Sequence, residues 1–126
     1  MTKPIRLLIA EDDPQRLELF CRLAEQLGYD YRAVNNGVAG WKLIRDAKDG
    51  EEFNLIISDN DMPVMEGIEL LRLVRGNPKT KSTPFVLYSS NDTWSLKLEV
   101  SELGADFEDK AQISPLNLLK KYLPLS

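Results

Sequence analysis

Short apolar runs alternate along the chain with segments whose apolar positions recur at helical spacing. The first run, residues 5–10, is apolar except for Arg6, and such continuity predicts a strand covered on both faces. Asp13-Pro14 then supplies an N-cap and a proline at the first helical position. Leu17, Phe20, Cys21, Ala24 and Leu27 follow on one helical face, and Gly28 marks the stop. A strand over 29–34 leads into Asn35-Asn36-Gly37, which opens a second helix with an apolar stripe of Trp41 and Ile44, broken by Asp49-Gly50. Residues 54–58 carry Leu55-Ile56-Ile57 and form the best candidate for the centre of a sheet. A loop with Met62-Pro63 and Gly67 precedes a third helix whose inner side is Leu70, Leu71 and Val74. After a polar loop at 77–83, a fourth strand spans 85–88, and Asp92 caps a fourth helix that Gly104 ends. A short strand at 106–109 and a helix opened by Ser114-Pro115, with Leu118, Leu119, Tyr122 and Leu123 apolar, complete the pattern.

Five strands and five helices in strict alternation predict an α/β fold. Right-handed crossovers place helices on both faces of a doubly wound parallel sheet. With 126 residues and no repeat, low-complexity tract or interior linker, the chain reads as one domain over 1–126. Its formal charge of −4 gives no basic face for nucleic acid. The apolar runs are far too short to span a membrane, and the N-terminus has no signal-peptide core. The single cysteine, Cys21, makes no internal disulfide, so a cytoplasmic location is expected. The absence of histidine removes His-dependent triads, His-ligated zinc and any role as a phosphohistidine carrier.

In such a sheet, ligands bind beyond the carboxyl ends of the central strands. Those ends carry Glu11, Asp12 and Asp13 after the first strand, Asp59 after the third, Ser89 after the fourth and Lys110 after the fifth. Clustered carboxylates repel one another unless a cation sits among them. Hard oxygen donors with open positions suit Mg²⁺, which binds phosphate oxygens readily. A carboxylate beside such an ion can attack phosphorus, while a lysine and a hydroxyl hold the remaining phosphoryl oxygens. Plainer readings stand beside this one. Asp13 reads as an N-cap, and Ser89 or Lys110 taken alone as a strand-end hydroxyl and a solvated cation. Trp41, Tyr88 and Cys21 read as packing, and Trp94 as either an exposed contact residue or a half-buried filler.

Asp59-Asn60-Asp61-Met62-Pro63-Val64-Met65-Glu66-Gly67 resembles the D-x-x-M-P-x-M-x-G signature of receiver domains in bacterial two-component response regulators, chemotaxis regulators included. Glu11-Asp12, Ser89 and Lys110 fall in that family's order, and the resemblance covers essentially the whole chain. It implies a flavodoxin-like sheet in the order 2-1-3-4-5. It also implies roles: Asp59 as phosphoacceptor, Asp12 and Glu11 at a Mg²⁺ site, Asp61 as a metal ligand through its backbone carbonyl, and Ser89 and Lys110 on the phosphoryl group. The phosphoryl source would be a histidine kinase or phosphotransfer protein, and the output a downstream protein target. The only catalysis implied is the domain's own phosphorylation and dephosphorylation. Phe107 fits the aromatic position that moves with the strand-four hydroxyl on phosphorylation and alters the face made by helix four, strand five and helix five; plain core packing is its simpler reading.

Four residues depart from the family's commonest form: Glu11 for Asp, Ser89 for Thr, Ser90 for Ala, and Ala111 for the proline that often follows the lysine. The segment 104–110 is also one residue short, with one extra residue before Ser114. Two other readings compete. Asp59-x-Asp61 resembles the nucleophile and acid of haloacid-dehalogenase-type phosphatases, but there the D-x-D motif comes first in the chain, and 126 residues leave no room for a cap domain. A degenerate receiver that only binds protein is disfavoured by the intact Asp12, Asp59, Ser89 and Lys110.

Overall fold

The computed structural model describes residues 4–124, so residues 1–3 and 125–126 of the expected domain lie outside the described residues. The elements alternate as expected: β1 (Arg6–Ala10), α1 (Pro14–Leu27), β2 (Asp30–Val34), α2 (Gly37–Arg45), β3 (Leu55–Ser58), α3 (Gly67–Gly76), β4 (Phe85–Ser89), α4 (Trp94–Glu102), β5 (Asp106–Asp109) and α5 (Pro115–Tyr122). All strand pairs are parallel, in the order β2-β1-β3-β4-β5. This is the flavodoxin-like arrangement.

Alternation along the strands sorts side chains into two layers. Leu8, Ile56, Phe85 and Leu87 face α2, α3 and α4, where they meet Ile44, Leu70, Leu71, Val74 and Val100. Leu7, Ile9, Ile57, Val86 and Tyr88 face α1 and α5, against Phe20, Ala24, Leu118 and Leu119. Every residue of β3 and β4 is buried, which explains their unbroken apolar runs. Phe20 meets Tyr88 edge to face, with ring centroids 5.9 Å apart.

The helix signals act largely as the sequence suggests. Asp13 Oδ1 accepts from the Gln15 N–H at 3.1 Å, Asn36 Oδ1 from Ala39 at 2.8 Å, and Ser114 Oγ from Asn117 at 3.2 Å. Gly28 ends α1 in the left-handed region, at φ 81°. Other boundaries differ. The expected strands start one residue early at 5, 29 and 54, and β4 extends to Ser89. α2 stops at Arg45, before Asp49-Gly50, closed by the Asp46 N–H on the Lys42 carbonyl. Asp92 does not cap α4: Thr93 holds that position, and the Thr93 N–H is taken by Asn91 Oδ1 at 3.3 Å. Trp94 is 77% exposed, which rules out the filler role, and Cys21 is half-buried rather than core. No cis peptide bond occurs among the described residues, so Lys110-Ala111 is trans. No helix among them is long and apolar enough to cross a membrane.

The β3–α3 connection is packed tightly. The Asn60 carbonyl accepts from the N–H groups of Met62 and Gly67, and Asn60 Oδ1 accepts from the Ile68 N–H at 3.0 Å. Gly67 comes so close to the strand that a Cβ there would lie 2.1 Å from the Asp59 carbonyl oxygen and 2.7 Å from Leu87 Cδ1. A backbone oxygen cannot rotate away, so the methyl group must displace α3 or the end of β3. Gly67→Ala is expected to cost about 3 kcal/mol in urea unfolding. A loss within ~0.5 kcal/mol of zero would show that the loop yields easily.

Candidate functional site

Three charged residues each sit one position beyond the end of a strand, and each is held there by a bond that continues the ladder. The Glu11 N–H donates to the Val34 carbonyl at 3.0 Å, Asp59 to Ala10 at 2.8 Å and Lys110 to Ser89 at 3.1 Å. β1 and β3 are in register, Ile9 opposite Ile57 and Ala10 opposite Ser58, so Glu11 and Asp59 follow as neighbours. Counting by twos from Ile9, Ile57 and Glu108 puts Glu11, Asp59 and Lys110 all on the α1/α5 side.

The side chains meet there. Lys110 Nζ lies 3.1 Å from Asp59 Oδ2 and 3.4 Å from Glu11 Oε2, and its ammonium group is 5.8 Å from the centre of the Tyr88 ring. Glu11 and Asp59 are buried, while Asp12 is exposed. Glu11, Asp12 and Asp59 each present a carboxylate oxygen within 4.8 Å of the others. Asp61 is exposed and approaches through its backbone, its N–H 3.4 Å from Asp59 Oδ1. Ser89 is fully buried, and its Oγ accepts from the Asn91 N–H at 3.0 Å. Phe107 is opposite Leu87 on the other face of the sheet, half-buried, with Lys97 Nζ 5.4 Å from its ring centre. Strand alternation places Ser89 on that same face. The site therefore gathers Glu11, Asp12, Asp59 and Lys110, with Asp61 and Ser89 at its margins and Phe107 behind it.

A model of the response regulator receiver domain family matches residues 7–110. The chain belongs to this family. It is similar to a Rhizobium etli protein described as "Probable chemotaxis protein CheY", 30% identical over 107 residues that make up 84% of this chain and 80% of that protein. It is also similar to the Arabidopsis thaliana "Two-component response regulator-like APRR9", 28% identical over 101 residues; these are 80% of this chain but only 21% of the relative. Among solved structures, the chemotaxis response regulator CheY4 of Vibrio cholerae superposes with a TM-score of 0.81 at 26% identity, over 94% of this chain and 96% of that one. The protein thus has the receiver fold with a carboxylate cluster able to chelate a divalent metal, as Mg²⁺-dependent phospho-aspartate signalling requires. Receivers are phosphoryl acceptors rather than turnover enzymes.

The receiver's site contains partners that the sequence alone does not single out. Arg16 Nη1, on the first turn of α1, lies 3.5 Å from Glu11 Oε1 and 3.4 Å from Asp13 Oδ2. Its place five residues after Glu11 is the only signal, and a helical arginine gives no hint of direction. Asn60 and Asn91 serve the site through local hydrogen bonds, which their residue type permits but does not announce. Val64 is the one residue other than glycine with positive φ among those described, at 69°, and is 87% exposed. A β-branched residue there carries strain in the loop beside Asp59, of the order of 1–2 kcal/mol.

Burial, and then repulsion from Glu11, push the Asp59 carboxyl up to about 6; Lys110 offsets only part of this. The donors are all hard oxygens and negative charge remains after Lys110 is counted, so the set fits a divalent cation such as Mg²⁺. Because the folded-state pKa is raised, the metal-free protein is favoured while Asp59 is protonated, below about pH 4, and loses that stability as pH rises through about 6. Asp59→Asn should therefore be more stable than wild type at pH 8 in EDTA, by ~1–3 kcal/mol in denaturant unfolding, with the gap closing toward pH 4. A variant equal to or less stable than wild type at pH 8 would mean that the Lys110 pair outweighs the burial cost.

Proposed function

We propose that this receiver takes a phosphoryl group onto Asp59 from a histidine kinase or phosphotransfer protein in the cytoplasm. Mg²⁺ would be held by the carboxylates of Glu11, Asp12 and Asp59 and by the backbone carbonyl of Asp61. One observation carries the reading: the buried Asp59 carboxylate belongs to the metal-capable cluster and also lies 3.1 Å from the Lys110 ammonium group. Bound there, the cation would supply positive charge against the incoming phosphoryl oxygens. An Asp59 oxygen attacks phosphorus and forms an acyl phosphate, while the donor's P–N bond breaks and its imidazole nitrogen keeps the electron pair. Lys110 already spans Asp59 and Glu11, so a small shift brings Nζ onto a phosphoryl oxygen. Ser89 has its acceptor side occupied by Asn91, and its O–H remains available to donate.

The same hydroxyl supports the proposed output. Ser89 and Phe107 share the face covered by α4, so drawing Ser89 toward the phosphoryl group changes the space at the outer end of Phe107 and the surface of α4, β5 and α5 that a target protein would read. Phe107 has no hydroxyl and acts only through its bulk.

Acetyl phosphate with Mg²⁺ should add one phosphoryl group to wild type, none to Asp59→Asn, and at least ~100-fold less without the metal. In the labelled protein, amide resonances should shift across α4, β5 and α5; in Phe107→Ala the shifts should stay near Asp59. Labelling at another residue, or none at all, would replace this reading with a binding-only receiver. Multiple-turnover hydrolysis of a phosphomonoester would favour the phosphatase reading instead. Unchanged long-range shifts in Phe107→Ala would remove the switch alone.

A further inference from the structure

At the end of the sheet opposite Asp59, the fold gathers four cations, of which only Arg6 is held by a carboxylate among the described residues. Arg6 at the start of β1, Arg32 on β2, Lys42 on α2 and Lys48 in the α2–β3 loop line one cavity of about 260 Å³, floored in part by Phe53. Arg32, Lys42 and Lys48 form no ion pair among the described residues. Two acids also line the cavity, but Asp46 is engaged by Arg45 through contacts of 2.9 and 3.2 Å and Arg6 is held by Asp30, which leaves Glu51 against Arg32, Lys42 and Lys48.

Arg6 adds a second, independent observation. Its Nη1 pairs with Asp30 at 3.0 Å, and its guanidinium carbon lies 5.3 Å from the centre of the Phe53 ring. Its Nε–H is the one buried side-chain polar atom among the described residues with no hydrogen-bond partner. A buried donor is ordinarily satisfied, and this one belongs to a residue that lines the cavity, so a small movement of the guanidinium would bring it to an acceptor arriving from outside. Simpler roles account for part of the cluster. Arg32 guards an edge strand, and Lys42 complements the C-terminal carbonyls of α2. Neither explains Lys48 or the Arg6 Nε–H, nor why all four cations face one cavity. The partial negative charge at the end of α2, roughly half an elementary charge, is smaller than the excess they present.

We propose that this cavity binds a compact phosphate-bearing anion, a diphosphate group either free or carried by a nucleoside. Several cations around a planar guanidinium suit the clustered oxygens of a diphosphate better than one carboxylate. The cavity's size admits a small ligand, and the chain's net charge of −4 disfavours a long nucleic acid. The site is remote from the phosphoacceptor, and neither depends on the other.

The test is a Mg²⁺-free NMR titration of the ¹⁵N-labelled protein with sodium diphosphate and, separately, ADP. The Arg6 Nε–H signal and the amides of residues 42–53 should shift saturably, with Kd below ~1 mM near physiological salt. Lys42→Gln/Lys48→Gln, both partly or fully exposed, should fold normally, label with acetyl phosphate like wild type, and bind at least ~10-fold more weakly, a change of about 1.4 kcal/mol. Tighter binding of ADP than of diphosphate would support the site and assign the nucleoside form; equal binding would support it and assign the bare anion. No saturable shift by ~10 mM, which puts any Kd above the millimolar range, shifts confined to Lys110 or spread over surface lysines such as Lys120 and Lys121, or equal binding by the double variant would each overturn the proposal.

Discussion

Everything at the phosphoacceptor end rests on three ladder bonds that run one residue past their strands. A parallel ladder fixes the backbone of the residue it reaches. Here it reaches Glu11, Asp59 and Lys110, two acids and a base whose side chains must all turn the same way. The acids cannot relax away from each other without breaking the register of β1 and β3, whose apolar residues are almost fully buried. The repulsion between them is therefore held in place by the hydrophobic core, and it adds to burial, the larger cause, in raising the Asp59 carboxyl. Lys110 and Arg16 relieve part of it from two sides. The remainder is what a divalent ion and a phosphoryl group can exploit.

The two faces of the sheet divide the labour. Glu11, Asp59 and Lys110 lie toward α1 and α5, while Ser89 and Phe107 lie toward α4, so in the proposed switch Ser89 at the end of β4 would be the group that carries chemistry on one side to the other. α4 is suited to respond. Only Leu96 and Val100 bury it, its N-cap makes no side-chain bond, and Trp94 and Leu98 point into solvent. Its far end is anchored, because the Arg75 guanidinium donates to the carbonyls of Leu103, Gly104 and Thr83. In the proposed switch, a helix fixed at its C-terminus and loosely held near the site would respond most where Ser89 and Asn91 adjoin it.

How much of this was legible in the chain depends on the kind of signal. Continuous apolar runs identified β1, β3 and β4 because burial on both faces leaves no room for polar residues, and Asp13-Pro14, Gly28 and Ser114-Pro115 marked helix ends through backbone chemistry. The carboxylate cluster was legible once strand ends were known, since the fold sends those ends to one edge. Lys110 was the hardest of the set to place, with one residue too few before it and one too many after, yet its ladder bond to Ser89 puts Nζ on Asp59. What stayed hidden was decided by competition among neighbours. Asn91, not Asp92, serves the start of α4, and Arg16 turns back to Glu11 rather than outward. Several polar residues at such places could each make the bond, and only packing chooses among them.

Sharing of one divalent ion by Glu11, Asp12 and Asp59 is proposed from the mutual approach of their carboxylates. It is tested most directly by a Mg²⁺ titration followed through the amide resonances of residues 11–13 and 59–61, in wild type and in Asp12→Asn. A single saturable event centred on those residues is expected, weakened at least ~10-fold by the substitution. Equal Mg²⁺ binding by Asp12→Asn, or shifts centred elsewhere on the surface, would contradict it.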